Sequence, residues 1–247
     1  MREELLELKL NLTELVNNPE FMNLIGFYNG MINSPINLYV DCDGTIIDTM
    51  TVGFEMCRQK GIINDEELRN RFFQREADFY EFFRRGKVLA DAIDNINLLN
   101  STGLFDISIL TASSPYSLTE RPCKVDYFTS KLPSNKLIFS DVSKKEKKCE
   151  TKGVKAVHGI LIDDSVKHIN EWNKAGGLGL LFRKDDKNEF NTICDPNESY
   201  DGVIEVSSIL DVVSILTNED VLDYLSGNTT YDDLKNKLFG VQKRKVM

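Results

Sequence analysis

The chain has little of what builds most metal and disulfide centres. It holds only 2 His and 1 Trp in 247 residues. Its 5 Cys (Cys42, Cys57, Cys123, Cys149 and Cys194) are an odd number with no CxxC pair. That argues against a disulfide framework or a structural zinc site and for a reducing compartment. Positive charge is also in deficit: 30 Lys+Arg face 39 Asp+Glu, a formal net charge of −9. A nucleic-acid coat or an anionic membrane surface is poorly served by such a balance, although the Lys-rich stretch 144–155 leaves room for a local basic groove. No run approaches the roughly 18–20 apolar residues of a membrane span. The opening MREELLELKL intersperses charge with Leu and does not read as a secretory signal. The expectation is a cytoplasmic protein without a membrane partner.

What is present is ordinary for a globular protein, with 41% apolar and 28% charged residues. Apolar segments are spread along the whole chain, which excludes disorder as its main state. Leu5, Leu8, Leu12 and Leu15 lie at helical spacing, and Asn18-Pro19 starts a second helix. That Leu stripe is too short for a coiled coil. Short buried strands are predicted at 36–40, 105–110, 137–139, 159–162, 178–182 and near 203–206. Helical patterns fill 51–86, 87–100, 166–175, 207–216 and 231–239. Strands alternating with helices predict an α/β protein with a mostly parallel sheet covered on both faces. Its expected divisions are an N-terminal helical extension (1–35), a core (36–50 and 87–218), a helical insertion (51–86) and a C-terminal helical tail (219–247). The extension and the tail leave an oligomer open.

Three strands end in chemistry. The first runs into Asp41-Cys42-Asp43-Gly44-Thr45, the second into Thr111-Ala112, and the fourth into Asp163-Asp164. In an open parallel sheet, ligands bind beyond the carboxyl ends of the strands. Neighbouring strands would therefore bring four carboxylates and a hydroxyl to one spot. Such carboxylates repel one another unless a cation neutralises them, and an all-oxygen set suits Mg²⁺. Each piece also has a plainer reading: Asp43-Gly44 alone is a turn, Asp163-Asp164 a helix cap, and Thr111 a common strand end. His158 and His168 lack metal spacing to another His or Cys, and Cys42 reads as a small buried side chain.

Taken together, DCDGT, Ile109-Leu110-Thr111-Ala112, a downstream Lys and Leu161-Ile162-Asp163-Asp164 resemble the haloacid dehalogenase-like (HAD) superfamily of aspartate-nucleophile phosphohydrolases. The four motifs stand in that family's order over residues 36–182. The resemblance implies a Rossmann-like core with a small helical cap inserted after the first strand. It implies Asp41 as nucleophile and Asp43 as general acid and base. Mg²⁺ would be held by Asp41, Asp43 through its carbonyl, and Asp163 or Asp164. Thr111, Ala112 and a Lys would hold the phosphate. Lys144, Lys145, Lys147 and Lys148 all lie at plausible distances; Ser143 reads as an N-cap, which favours Lys144, then Lys145, and leaves the others as solvated charge.

The implied activity is hydrolysis of a small phosphomonoester. The insertion resembles the cap of the 5′(3′)-deoxyribonucleotidase branch, and Lys124 with Tyr127-Phe128 is loosely similar to it. Ile46-Ile47-Asp48 after DCDGT is closer to sugar-phosphate phosphatases. A nucleoside monophosphate is the first expectation and a sugar phosphate the second. Within the insertion, Phe72, Arg75, Phe79 and Arg84 are the candidate substrate contacts, against the plainer reading of aromatic core and solvated Arg. A nucleic-acid 3′-phosphatase and a phosphotransferase keep the same motifs. A dehalogenase has no call for Asp43 or a metal. A non-catalytic phosphate- or protein-binding relative is the competing class, although such a chain is expected to have lost Asp41 or Asp43.

Overall fold

The computed structural model of the chain describes residues 34–141, 147–183 and 203–239. The expected N-terminal helices, Ser143, Lys144, Lys145 and Cys194 lie outside the described residues. Six described strands form one parallel sheet: β1 (Ile36–Val40), β2 (Phe105–Ser113), β3 (Lys136–Asp141), β4 (Ile160–Asp163), β5 (Leu178–Phe182) and β6 (Ile204–Val206). Their order across the sheet is β3-β2-β1-β4-β5-β6. The chain therefore moves outward from β1 to β2 and β3, then returns to the other side of β1. Val40 is in register with Ile109 on one side and Ile162 on the other. The switch point falls where β1, β2 and β4 end side by side, the place such sheets offer to ligands.

The pleat sorts the apolar residues to two faces. Leu38, Val40, Ile107, Ile109, Ile160, Ile162 and Leu180 share the larger core, whereas Tyr39, Leu110, Leu161 and Leu181 belong to the smaller one. Helix α4 (Ala92–Thr102) brings Ala92, Ile96 and Leu99 to the larger core, and α5 (Glu120–Lys131) brings Cys123 and Phe128. The helices α7 (Asp211–Ile215), α8 (Glu219–Leu225) and α9 (Tyr231–Phe239) add Val212, Val221, Leu222 and Leu234 to it. The smaller face is covered by α6 (Val166–Lys174), through Val166, Ile169 and Trp172. Both faces are helix-covered, as continuous apolar strands require.

Between β1 and β2 the chain inserts α1 (Thr49–Gln59), α2 (Glu66–Arg71), a π-helical turn (Phe72–Glu76) and α3 (Phe79–Arg85). Its centre is aromatic: Phe73 meets Phe54, Phe72 and Phe82 edge-on, with ring centroids 5.5–6.0 Å apart. The helix expected over 87–100 begins only at Ala92. Residues before it are spent closing the insertion: Asp48 N–H donates to the Lys87 carbonyl, and Leu89 N–H to that of Ile46, each at 2.9 Å. Val88 bridges Ile47, and Ala90 and Asp91 turn through positive φ before the helix starts. The helix expected over 207–216 is likewise shorter, because Asp211 Oδ2 accepts the Ser207 and Ser208 amides in a turn ahead of it. No described helix is long and apolar enough to cross a membrane.

Candidate active site

The three motif strands deliver their residues to one point. Asp41 follows β1 directly, and its amide donates to the Ile162 carbonyl of β4 at 2.9 Å. The turn that follows depends on Gly44, whose φ is +83° and whose amide donates to the Ile47 carbonyl at 2.8 Å. A Cβ at Gly44 would also fall inside the Asp164 carboxylate, so both conformation and space require glycine. Carboxylate oxygens of Asp41, Asp163 and Asp164 lie within 4.8 Å of one another. Asp41 and Asp163 are buried, whereas the Asp43 side chain keeps 24% exposure on the open side of the cluster.

Two buried lysines organise these acids. Lys148, on a 3₁₀ turn after β3, donates to Asp41 Oδ1 at 2.5 Å and to Asp163 Oδ2 at 2.6 Å. The expectation that it is a solvated charge is corrected: its side chain is 4% exposed, while Lys147 beside it is 49% exposed and paired with Glu150. The second, Lys124 on α5, is fully buried. Its ammonium donates to Asp43 Oδ2 at 2.6 Å, Ala112 O at 2.9 Å, Thr111 Oγ1 at 3.0 Å and Glu120 Oε1 at 3.1 Å. Asp43 Oδ1 accepts from Thr49 at 2.7 Å. Thr111, fully buried, thus sits between Lys124 and the Asp43 carboxylate.

Burial and charge set the protonation of this group. Burial pushes the Asp41 carboxyl up to about 6; Lys148 pulls it down, and the nearby Asp163 and Asp43 charges add to the rise. Asp164 is pushed well above the carboxylate range by burial and by the charges of Asp163 and Asp41. Burial acts upward on Asp43 too, but the ammonium of Lys124 and the Thr49 hydrogen bond hold it below its ordinary value. Asp163 is held down against its burial by Lys148 and His168. Both lysines are raised by their carboxylate partners, which outweigh burial. Three converging carboxylates with oxygen donors alone are the chemistry of a hard divalent cation, and such an ion relieves the crowding that raises Asp41 and Asp164. The residues therefore fit Mg²⁺.

His168 was not expected at the site. Its Nδ1 lies 3.1 Å from Asp163 Oδ2, and its amide is capped by Ser165 Oγ, whose own amide donates to Asp163 Oδ1 at 2.9 Å. It supports Asp163 from behind. The candidate contacts of the insertion are scattered. Phe72 is core, and Arg84 is solvent-facing and forked onto Glu81 at 2.6 and 2.9 Å. Phe79 lies 5.8 Å under the Lys124 ammonium, and Arg75 stacks on Tyr116 at 5.0 Å. A depression of about 570 Å³ on α2 and the π turn is lined by Glu66, Glu67, Asn70, Arg71, Gln74 and Arg75, and by none of the site carboxylates.

No family model matches the chain, and no curated protein matches it. Among solved structures, the chain is similar to a HAD hydrolase of Bacillus subtilis bound to magnesium, at 16% identity and TM-score 0.46, covering 75% of this chain and 100% of that one. It is similar to a HAD-superfamily hydrolase, subfamily IA, of Geobacter sulfurreducens, at 11% identity and TM-score 0.48, over 74% and 100% of the two chains. A phosphonoacetaldehyde hydrolase-like protein of Oleispira antarctica matches at 13% identity and TM-score 0.48, over 81% and 97%.

Proposed function

We propose that the chain is a HAD-type phosphomonoester hydrolase working through an aspartyl-phosphate. One observation carries this reading: a single buried ammonium, Lys148, ties the end of β1 to the end of β4, through Asp41 and Asp163, with Asp164 completing the acidic cluster. A merely structural ion pair would need one carboxylate, whereas one buried ammonium between two carboxylates, with the Asp164 carboxylate close beside them, leaves more negative than positive charge in the cluster. The arrangement suits a centre that receives a phosphate and a divalent cation.

In this reading an Asp41 oxygen attacks phosphorus and the ester P–O bond breaks. Asp43 gives its proton to the departing oxygen, and as a carboxylate then takes a proton from the water that attacks the Asp41-phosphate. That water releases phosphate and restores Asp41. Lys124 favours the carboxylate form of Asp43, and an arriving anionic phosphate pushes in the opposite direction. Lys148 orients the Asp41 oxygen it holds. Thr111 and the Ala112 segment, fixed by Lys124, border the phosphate; among the described lysines Lys148 is the one placed beside it, and Lys144 and Lys145 lie outside the described residues. Mg²⁺, held by Asp41, Asp163 and Asp164 with the Asp43 carbonyl, would shield phosphate charge from the anionic nucleophile.

The substrate in this reading is a compact phosphomonoester, with a nucleoside monophosphate ahead of a sugar phosphate. The Arg75–Tyr116 stack, with Tyr116 exposed on the loop that follows β2, supports the former. Phosphate release from a panel of nucleoside 5′- and 3′-monophosphates and sugar phosphates, in Mg²⁺ and in EDTA, tests it. Mg²⁺-dependent turnover that Asp41→Asn abolishes is the expected result; turnover indifferent to either change would sink it.

A further inference from the structure

Glu120 takes no part in the steps above, yet it is buried to 7% exposure in the first turn of α5. An acid at a helix start is commonly there for the macrodipole, in solvent. Here both carboxylate oxygens are committed inward. Oε2 accepts the Ser114 amide at 2.8 Å, and Oε1 accepts from Lys124 Nζ at 3.1 Å. Lys124 in turn lies 2.6 Å from the Asp43 oxygen. The result is a row of three charges, Glu120–Lys124–Asp43, buried at Glu120 and Lys124, with one end on the loop that follows β2.

An ammonium has three protons, and four acceptors surround this one. Its position is therefore set by competition among Asp43, Thr111, Ala112 and Glu120. With Glu120 uncharged, Asp43 would be the one anionic acceptor left, and the ammonium would settle on the oxygen that must exchange a proton with the leaving group. We propose that Glu120 is a positioning residue of the acid–base step, acting through Lys124: by sharing the ammonium it loosens the hold of Lys124 on Asp43, so that Asp43 can deliver and recover a proton. The inference rests on the phosphomonoesterase reading.

A structural role for Glu120 would also close the turn over residues 114–120. That turn seats the insertion, since Thr119 Oγ1 donates to the Ala77 carbonyl and Ser114 Oγ to that of Gln74. The two roles separate by leaving group. An alkyl phosphomonoester such as a nucleoside 5′-monophosphate needs its departing oxygen protonated, whereas p-nitrophenyl phosphate does not. The test measures kcat and KM of wild type, Asp41→Asn and Glu120→Gln on both. Glu120→Gln keeps the shape and an acceptor for the Ser114 amide. The expected result is a roughly ten- to hundredfold lower kcat/KM on the alkyl ester and less than about threefold on the aryl ester, because kcat/KM reports the step that expels the leaving group and not the later attack of water, which both esters share. Activity on the aryl ester also reports a folded site. Should the Gln variant not fold, Glu120→Asp carries the same comparison with its charge kept and its reach shortened. Equal losses of kcat/KM on both esters, or no loss on either, would overturn the inference while leaving the reading intact. Wild-type inactivity, or turnover that survives Asp41→Asn, would remove the reading and the inference with it.

Discussion

The strand-end site and the inserted helices are built on opposite principles. At the site, charges are inside: Asp41, Asp163, Lys124 and Lys148 are all buried, and each ammonium serves more than one carboxylate. In the insertion, charges are outside and phenylalanines inside. Phe72, Phe79 and Phe82 are buried, while Arg84–Glu81, Arg85–Glu55 and Arg71–Glu76 pair at the surface. The insertion is arranged as stability requires. The site is arranged at stability's expense, since buried ion pairs repay their desolvation poorly. Where a fold accepts that cost at the switch point of its sheet, chemistry is the economical explanation.

Four substitutions, with Lys147→Met as the control for the second, break or sharpen this contrast in falling order of effect. Asp41→Asn should lower phosphomonoester turnover by roughly a thousandfold or more while secondary structure by circular dichroism is unchanged. Lys148→Met should lower turnover on the order of a hundredfold, because the orientation of Asp41 and a site charge are lost together. Lys147→Met, one residue away and exposed, should leave turnover at the wild-type level, and equal effects from the two would erase the distinction drawn here. Phe82→Ala should cost about 3–5 kcal/mol by chemical denaturation, as a buried aromatic lost from a packed cluster. The turnover of the protein that remains folded should change little. Arg84→Gln should barely move Tm, and salt should erase the difference. The hydrogen bond from Arg84 holds the Glu81 carboxyl below its ordinary value. Any contribution of that pair is thus present above the ordinary glutamate range and fades as acid protonates Glu81, a trend that a Tm series against pH would follow.

The fold was legible because its pattern is local and repeated. Each strand is a short apolar run ended by polar residues, and β1, β4 and β5 lie where those runs predict. Asp41, Asp43, Thr111, Asp163 and Asp164 were legible for the same reason: they stand at strand ends, and the sheet order brings those ends together. The lysines were not. Lys144, Lys145, Lys147 and Lys148 look alike in sequence, and only the 3₁₀ turn aims Lys148 inward. Lys124 stands out in the sequence only beside Tyr127-Phe128, and Glu120 not at all, because no helical pattern marks 120–131; their burial comes from the insertion packed over α5, with Phe79 against the Lys124 ammonium and its carbonyl accepting from Cys123 Sγ. His168 shows no metal-ligand spacing in the sequence because its partner is a carboxylate, Asp163, five residues earlier. The late start of α4 follows from pairing with residues 46–48, a contact no local pattern encodes.

The most direct test of the central claim is to trap the covalent species. A single turnover of a reactive phosphomonoester in Mg²⁺, quenched in acid and mapped by peptide mass spectrometry, should place one phosphoryl group on Asp41. It should be absent in EDTA and in Asp41→Asn. Full turnover with no phosphoryl on Asp41, or with the group on another residue, would contradict the account.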